Sequence, residues 1–182
     1  MKKLIITIKP QHLCNILNGI KTIEVRKNKN LANAVKKLIA ENGECHIKCA
    51  CSKSKEFDLD NDGKKWFCWD KKSHHYPFKN LNVDYYNGSI VCEIVIDKVE
   101  EIVQTTLDNG VGYDYIYDTD TLLAQNFYKK SCLDNWDLLN YFGYKYGNGE
   151  IVGYAIHIKS VIPYEKPQEN KRVIQNYAWV KE

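Results

Sequence analysis

Two long runs, SIVCEIVIDKVEEIV (89–103) and EIVGYAIHIKSVIPY (150–164), place the tightest limit on what this chain can fold into. In the second, Ile151, Gly153, Ala155 and His157 alternate with Val152, Tyr154, Ile156 and Ile158. Period-two patterning of this length predicts strands that must be covered on at least one face. The first run is long enough to bend or bulge within a curved sheet. Shorter strand-like runs are LIITI (4–8), KTIEVRK (21–27), ECHIKCACS (44–52) and NYAWVKE (176–182).

Helical patterns fall between the early strands and again late in the chain. Pro10 opens PQHLCNILN, with Leu13, Ile16 and Leu17 at helical spacing and Gly19 just past its end. KNKNLANAVKKLIAEN (27–42) carries Leu31, Val35, Leu38 and Ile39 on one stripe, and Asn42-Gly43 turns the chain. TDTLLAQNFYKKSCL (119–133), capped by Thr119 or Asp120, and DNWDLLNYF (134–142), capped by Asp134, are the later pair. The expected fold class is α+β: about six strands in a small mixed β-barrel or strongly curved sheet, with peripheral helices. Regular βα alternation is absent, which argues against a doubly wound fold. One domain, 1–182, is expected, interrupted at 52–88 by a Lys-, Asp- and aromatic-rich segment without lasting periodicity.

Composition bounds the function. With 182 residues, 44% hydrophobic and 27% charged, the chain has enough material for a packed core and is not of disordered type. No apolar run reaches membrane-spanning length. MKKLIITIKPQH is too short in its apolar part for a signal peptide, so a cytoplasmic protein with reduced thiols is expected. A net charge of +3 permits nucleic-acid binding without marking a non-specific DNA coater. Cys45, Cys49 and Cys51 share one strand face, Cys92 lies in another strand, and no CxxC occurs; such cysteines behave as small buried hydrophobes. A zinc site drawn from Cys45, Cys49, Cys51, Cys68, His74 or His75 is the competing reading, and no metal or cofactor is expected. Oligomeric state is not readable.

The segment GIKTIEVR (19–26) carries the chemistry. On a strand, Thr22, Glu24 and Arg26 point one way and Ile23 and Val25 the other. The plain reading is a wet strand face with a weak ion pair. The alternative is a site. Arg26 and Arg172 are the only arginines among many lysines, and a guanidinium recognises carboxylates, phosphates and base edges as lysine cannot.

IKPQHLCNILNGIKTIEVRK resembles the opening of ASCH domains, small PUA-like β-barrels. Their G-x-K-x-x-E-x-R motif is matched by Gly19, Lys21, Glu24 and Arg26. ECHIKCACSK, GSIVCEIVIDKV, WDLLNYFGYKYGNGEIVGYAIHIKSVIPYEKP and QNYAWV resemble later parts of the family more faintly. The resemblance implies a cleft lined by Lys21, Glu24 and Arg26, with Lys9, Lys53 and Arg172 as further ligand-binding candidates. Its ligand would be RNA or a nucleotide-like molecule. Lys21 can meet a phosphate or, desolvated, act as nucleophile or base. Some ASCH-like proteins are amidohydrolases acting on N4-acetylcytidine through the motif lysine, a threonine and a further glutamate. This chain keeps Lys21 but has Glu24 in place of the threonine. Binding is therefore the first implication. A hydrolase acting on a modified nucleoside, with Lys21 and Glu24 as catalytic residues, is the second.

The 52–88 segment adds Trp66, Phe67, Trp69, His74, His75 and Tyr76 among lysines. Trp66, Trp69 and Tyr76 are candidates for base stacking; the competing reading is an aromatic mini-core, and a third is a docking surface for a protein partner. DLDNDG (58–63) imitates the start of a calcium loop, but Trp69 stands where the bidentate Glu is needed, so a polar turn is expected. His157 is expected to be a satisfied sheet histidine.

Overall fold

The β-branched runs pair into a mixed sheet, and the helical stripes flank it. The computed structural model describes residues 2–53, 57–59, 65–67, 86–107, 110–112, 121–143, 150–170, 174 and 177–181. In chain order the elements are β1 (Lys2–Ile8), α1 (Pro10–Leu17), β2 (Ile23–Arg26), α2 (Lys29–Asn42), β3 (Cys45–Cys51), β4 (Phe57–Leu59) and β5 (Lys65–Phe67). They continue with β6 (Ile90–Leu107), β7 (Gly110–Gly112), α3 (Thr121–Ser131), α4 (Asn135–Phe142), β8 (Glu150–Gln168) and β9 (Tyr177–Lys181). The α+β class holds. No helix among the described residues is long and apolar enough to cross a membrane.

Main-chain pairing follows the order β2-β8-β6-β3-β1-β9, with β7 on β6. β1 and β3 are parallel, whereas β1 with β9 and β2 with β8 are antiparallel. Among the described residues β9 does not return to pair with β2, so the closed barrel expected from the sequence is corrected to an open mixed sheet. The physical reason lies at β2. It is only four residues long, and just before it the Thr22 N–H donates to the Lys130 carbonyl at the end of α3 (2.8 Å), while the Thr22 carbonyl accepts from Ile158 N–H (2.9 Å). A helix end occupies the place where a closing strand would pair.

Two further expectations change. The 52–88 segment is not wholly irregular: β4 and β5 pair antiparallel, Phe57 opposite Phe67 and Asp58 opposite Trp66. The strand expected over 89–103 continues as β6 to Leu107, and β7 folds back on it with Leu107 opposite Gly110. Most of DLDNDG lies outside the described residues.

The chain divides into two compact units. The first comprises Met1–Gly19, His46–Val95 and Ser160–Glu182. Its β1 is buried along Leu4, Ile5, Ile6 and Ile8, which fits a continuous apolar run covered on both faces. Ile5, Ala50, Ile90 and Ile174 form one cluster, with Tyr164, Ala178 and Val180 packed against it. Cys49, Cys51 and Cys92 are buried thiols in this unit, and burial pushes the Cys51 thiol up to about 12, so it stays protonated and inert. Among the described residues no cluster of His, Cys, Asp and Glu converges as a metal site. Cys68, His74 and His75 lie outside them.

One charged cluster ties three strands of this unit. Glu93, 7% exposed, receives Lys3 Nζ at 3.2 Å and meets His46 Nδ1 at 2.6 Å. Burial pushes the Glu93 carboxyl up, but His46 and Lys3 together more than offset this, and its pKa falls below the ordinary 4.5.

The second unit comprises Ile20–Cys45 and Ile96–Lys159. Its core gathers Ile23, Val25, Ile102, Phe127, Leu138, Phe142, Val152 and Ala155. α2 begins at Asn28, whose side chain accepts from Leu31 N–H, and stops at Gly43 with φ 82°. α4 begins with a reciprocal cap between Asp134 and Asp137. His157 Nε2 is hydrogen-bonded to Glu100, as expected for a satisfied sheet histidine. At Gly153 the Phe142 ring and the Arg26 carbonyl oxygen (3.0 Å from where a Cβ would sit) leave no room for a side chain.

Two outcomes follow from this packing. Glu93 has a folded pKa below its unfolded one, so its contribution is present above about pH 4.5 and lost as pH falls through the folded value. Urea midpoints taken from about pH 6 to about pH 3 should drop in acid, and Glu93→Gln should flatten that drop. Separately, Gly153→Ala should cost about 1–3 kcal/mol in urea unfolding, because the Phe142 ring is buried and cannot swing aside.

Candidate functional site

The charged motif residues Lys21, Glu24 and Arg26 come together in the second unit through three local devices. Gly19 takes φ 69°, the left-handed conformation that lets the chain leave α1 sharply, which explains the motif glycine. The Thr22 bonds to Lys130 and Ile158 then fix where β2 starts. Finally α3 ends at Ser131, and Cys132 adopts φ 52°, a left-handed conformation costly for a residue with a Cβ. That termination leaves the Ser131 carbonyl unsatisfied within the helix, and the Lys21 ammonium donates to it. A cation at a helix C-terminus is also favoured by the helix dipole.

Lys21 is 1% exposed and its Nζ lies 3.5 Å from Glu24 Oε2. Glu24, 5% exposed, presents its other oxygen, Oε1, 2.9 Å from Arg26 Nε. This second contact is a close charge pair rather than an aligned hydrogen bond. The Arg26 side chain keeps 14% exposure, so of the three charges it alone reaches solvent appreciably. The wet-strand reading is thereby overturned: Ile23, Glu24 and Val25 are all buried, and strand alternation does not predict exposure here.

Charge and burial set the electrostatics. Burial pushes the Lys21 ammonium down from 10.5, opposed by Glu24 and by the Cys132 thiol and reinforced by Arg26. Burial in turn pushes the Cys132 thiol up, with Lys21 pulling it back. Lys21 and Arg26 thus share the Glu24 carboxylate, one on each oxygen. Tyr141 of α4 stands against the same network. Burial pushes its phenol up, Arg26 pulls it down, and Lys27 N–H donates to the hydroxyl.

The remaining candidates fall elsewhere. Lys9 occupies the N-cap of α1 and is exposed in the first unit. Lys53 is exposed there too, its aliphatic stem lying against Gly88. Arg172, Trp69 and Tyr76 lie outside the described residues. Trp66 is placed only by its backbone in β5. Ser131, Cys132 and Tyr141 were not foreseen as site residues. The basic last turn KKS marked a helix end, but nothing in it announced a carbonyl aimed at Lys21.

Comparison with known proteins bears on the fold. No protein-family profile and no curated protein matches this chain. Among solved structures it is similar to the ASCH protein of Zymomonas mobilis, at 12% identity and TM-score 0.50, covering 99% of this chain and 88% of that one. A mutant of the same protein gives 13% identity and TM-score 0.51, covering 99% and 89%.

Removing the central carboxylate should expose how the network is held. Glu24→Gln leaves Lys21 buried without its counter-charge and should cost about 3–5 kcal/mol in urea unfolding. It should also lower the Lys21 pKa further, read by NMR titration of the 15N-labelled ammonium. At this low identity the comparison supports one conclusion: this chain has an ASCH-like fold.

Proposed function

We propose that this chain is an RNA- or nucleotide-binding protein whose ligand contacts the Arg26 side of the Lys21–Glu24–Arg26 network. One observation carries the reading: of the Lys21–Glu24–Arg26 network only the Arg26 side chain reaches solvent appreciably, and a guanidinium is the group best shaped for a phosphate or base edge. Lys21 and Glu24 act as positioning residues beneath it, since burial keeps them from direct contact. The likeness to ASCH structures supports the family of folds in which such a cleft is built, within one PUA-like domain carrying the 52–88 insertion. A cytoplasmic location belongs to the same reading.

A second reading has its own observation. Burial pushes the Lys21 ammonium down, toward the free amine that a nucleophile or base requires. This supports hydrolysis of a modified nucleoside such as N4-acetylcytidine, although Lys21 would have to become accessible. The aromatic side chains of the insertion, on which the protein-docking reading rests, lie outside the described residues.

Fluorescence anisotropy with labelled single-stranded and hairpin RNA, at low and moderate salt, tests the first reading. Wild type should bind with a steep salt dependence. Arg26→Ala should weaken binding about tenfold or more, and Arg26→Lys should not restore it. Equal binding by wild type and Arg26→Ala would remove the site from this role. Release of acetate from N4-acetylcytidine, lost in Lys21→Met, would favour the hydrolase instead.

A further inference from the structure

Helix α3 stops differently from the other three. Just past α1, α2 and α4 the positive φ falls on Gly19, Gly43 and Gly143, where it carries no steric cost. Just past α3 it falls on Cys132, which among the described residues is the one non-glycine with a positive φ. A conformation of this kind persists where the surroundings over-determine it. The surroundings here are on record. The last four carbonyls of a helix have no partner within its ladder, and in α3 each has a partner of another kind. The Tyr128 carbonyl accepts from the Ser131 hydroxyl at 3.3 Å, and the Lys129 carbonyl from the Cys132 thiol at 3.7 Å. The Lys130 carbonyl accepts from Thr22 N–H at 2.8 Å, and the Ser131 carbonyl from the Lys21 ammonium. The last two partners belong to the motif segment. From Lys21 the contacts run on to Glu24 Oε2 at 3.5 Å, and from Glu24 Oε1 to Arg26 Nε at 2.9 Å. An unbroken series of polar contacts therefore leads from the stop at Cys132 to Arg26, and Arg26 is the end that reaches solvent. Glycine at 132 would relieve the backbone, but it would also remove the thiol that holds the Lys129 carbonyl and leave the last turn freer to move.

We propose that Cys132 is a positioning residue for the ligand site: by fixing the end of α3 it sets, through Ser131, Lys21 and Glu24, where the Arg26 guanidinium stands. Cys132 is 8% exposed and acts without touching the ligand. What Arg26 meets rests on the RNA-binding reading above, whereas the positioning itself belongs to the free chain.

Two measurements test this. In the free protein, 15N NMR reads the Arg26 Nε–H signal. It should move in Cys132→Gly and stay at its wild-type position in Cys132→Ser, whose hydroxyl can take over the bond to the Lys129 carbonyl. Cys132→Ala removes the donor, should follow the glycine variant, and serves if that variant does not fold. In fluorescence anisotropy with labelled single-stranded RNA, Cys132→Gly should weaken binding about fivefold, with Cys132→Ser close to wild type. Added to Arg26→Ala, Cys132→Gly should cost no more affinity, because its effect passes through Arg26. The assignment is overturned by an unmoved Arg26 signal in the glycine variant, by a glycine variant that binds like wild type, by a serine variant that loses as much as glycine, or by a further loss of similar size in the double variant. Failure of wild type to bind RNA overturns the RNA-binding reading instead, and the NMR comparison then decides the positioning role alone.

Discussion

Glu24 is the hinge of the candidate site. Its carboxylate is shared between the Lys21 ammonium on one oxygen and the Arg26 guanidinium on the other, and it is buried with the first of them. Charges removed from water to this degree are costly, and only mutual compensation makes them tolerable. The compensation here needs the whole neighbourhood. The Ser131 carbonyl is free to accept from Lys21 because α3 stops there, and α3 stops because Cys132 turns into a left-handed conformation. The Thr22 bonds to Lys130 and Ile158 set the distance between helix end and strand. Loosening any of these would leave a buried charge without its partner.

Much of this was legible in the sequence at the level of elements. Runs of β-branched residues marked β1, β2, β3, β6, β8 and β9, and the helical stripes marked α1 to α4, because periodicity reports which faces are covered. Gly19, Lys21, Glu24 and Arg26 stood out as a motif, and the structure brings the three charged side chains of that motif together. What periodicity misjudged was Glu24. Alternation assumes that one face of a strand meets water, whereas both faces of β2 are covered. Ser131, Cys132 and Tyr141 were not legible for a related reason: their importance comes from tertiary neighbours distant in sequence. The short ladder of β4 and β5 and the added strand β7 escaped because three residues are too few to show a period. The succession of strands and helices pointed to a small barrel or a strongly curved sheet, and the barrel fails to close where a helix end takes up the pairing position at Thr22.

Fold and chemistry speak with different force. The likeness to ASCH structures rests on the course of the backbone, at an identity too low to transfer a substrate. The triad speaks to chemistry directly, because a largely buried charge network that reaches solvent through Arg26 constrains what can sit against it. The second charged cluster, Glu93 with Lys3 and His46, shows the contrast. It too is a shared carboxylate, but it joins three strands of the first unit as a structural clamp.

The pairing of β1 bears on how the first unit comes into being. Ile6 lies opposite Tyr177 and Lys3 opposite Val180, so one side of the strand that starts the sheet meets its partner only after nearly the whole chain has been made. On its other side the parallel strand β3 is available much sooner. Until β9 emerges, LIITI therefore presents a bare, apolar, hydrogen-bonding edge of the kind that recruits other chains. Such long-range closure is slow relative to local contacts. A nascent molecule of this protein spends its most vulnerable interval with its first strand half paired, and the lysines at positions 2 and 3 and at 9 flank that edge as charges that discourage the wrong neighbour.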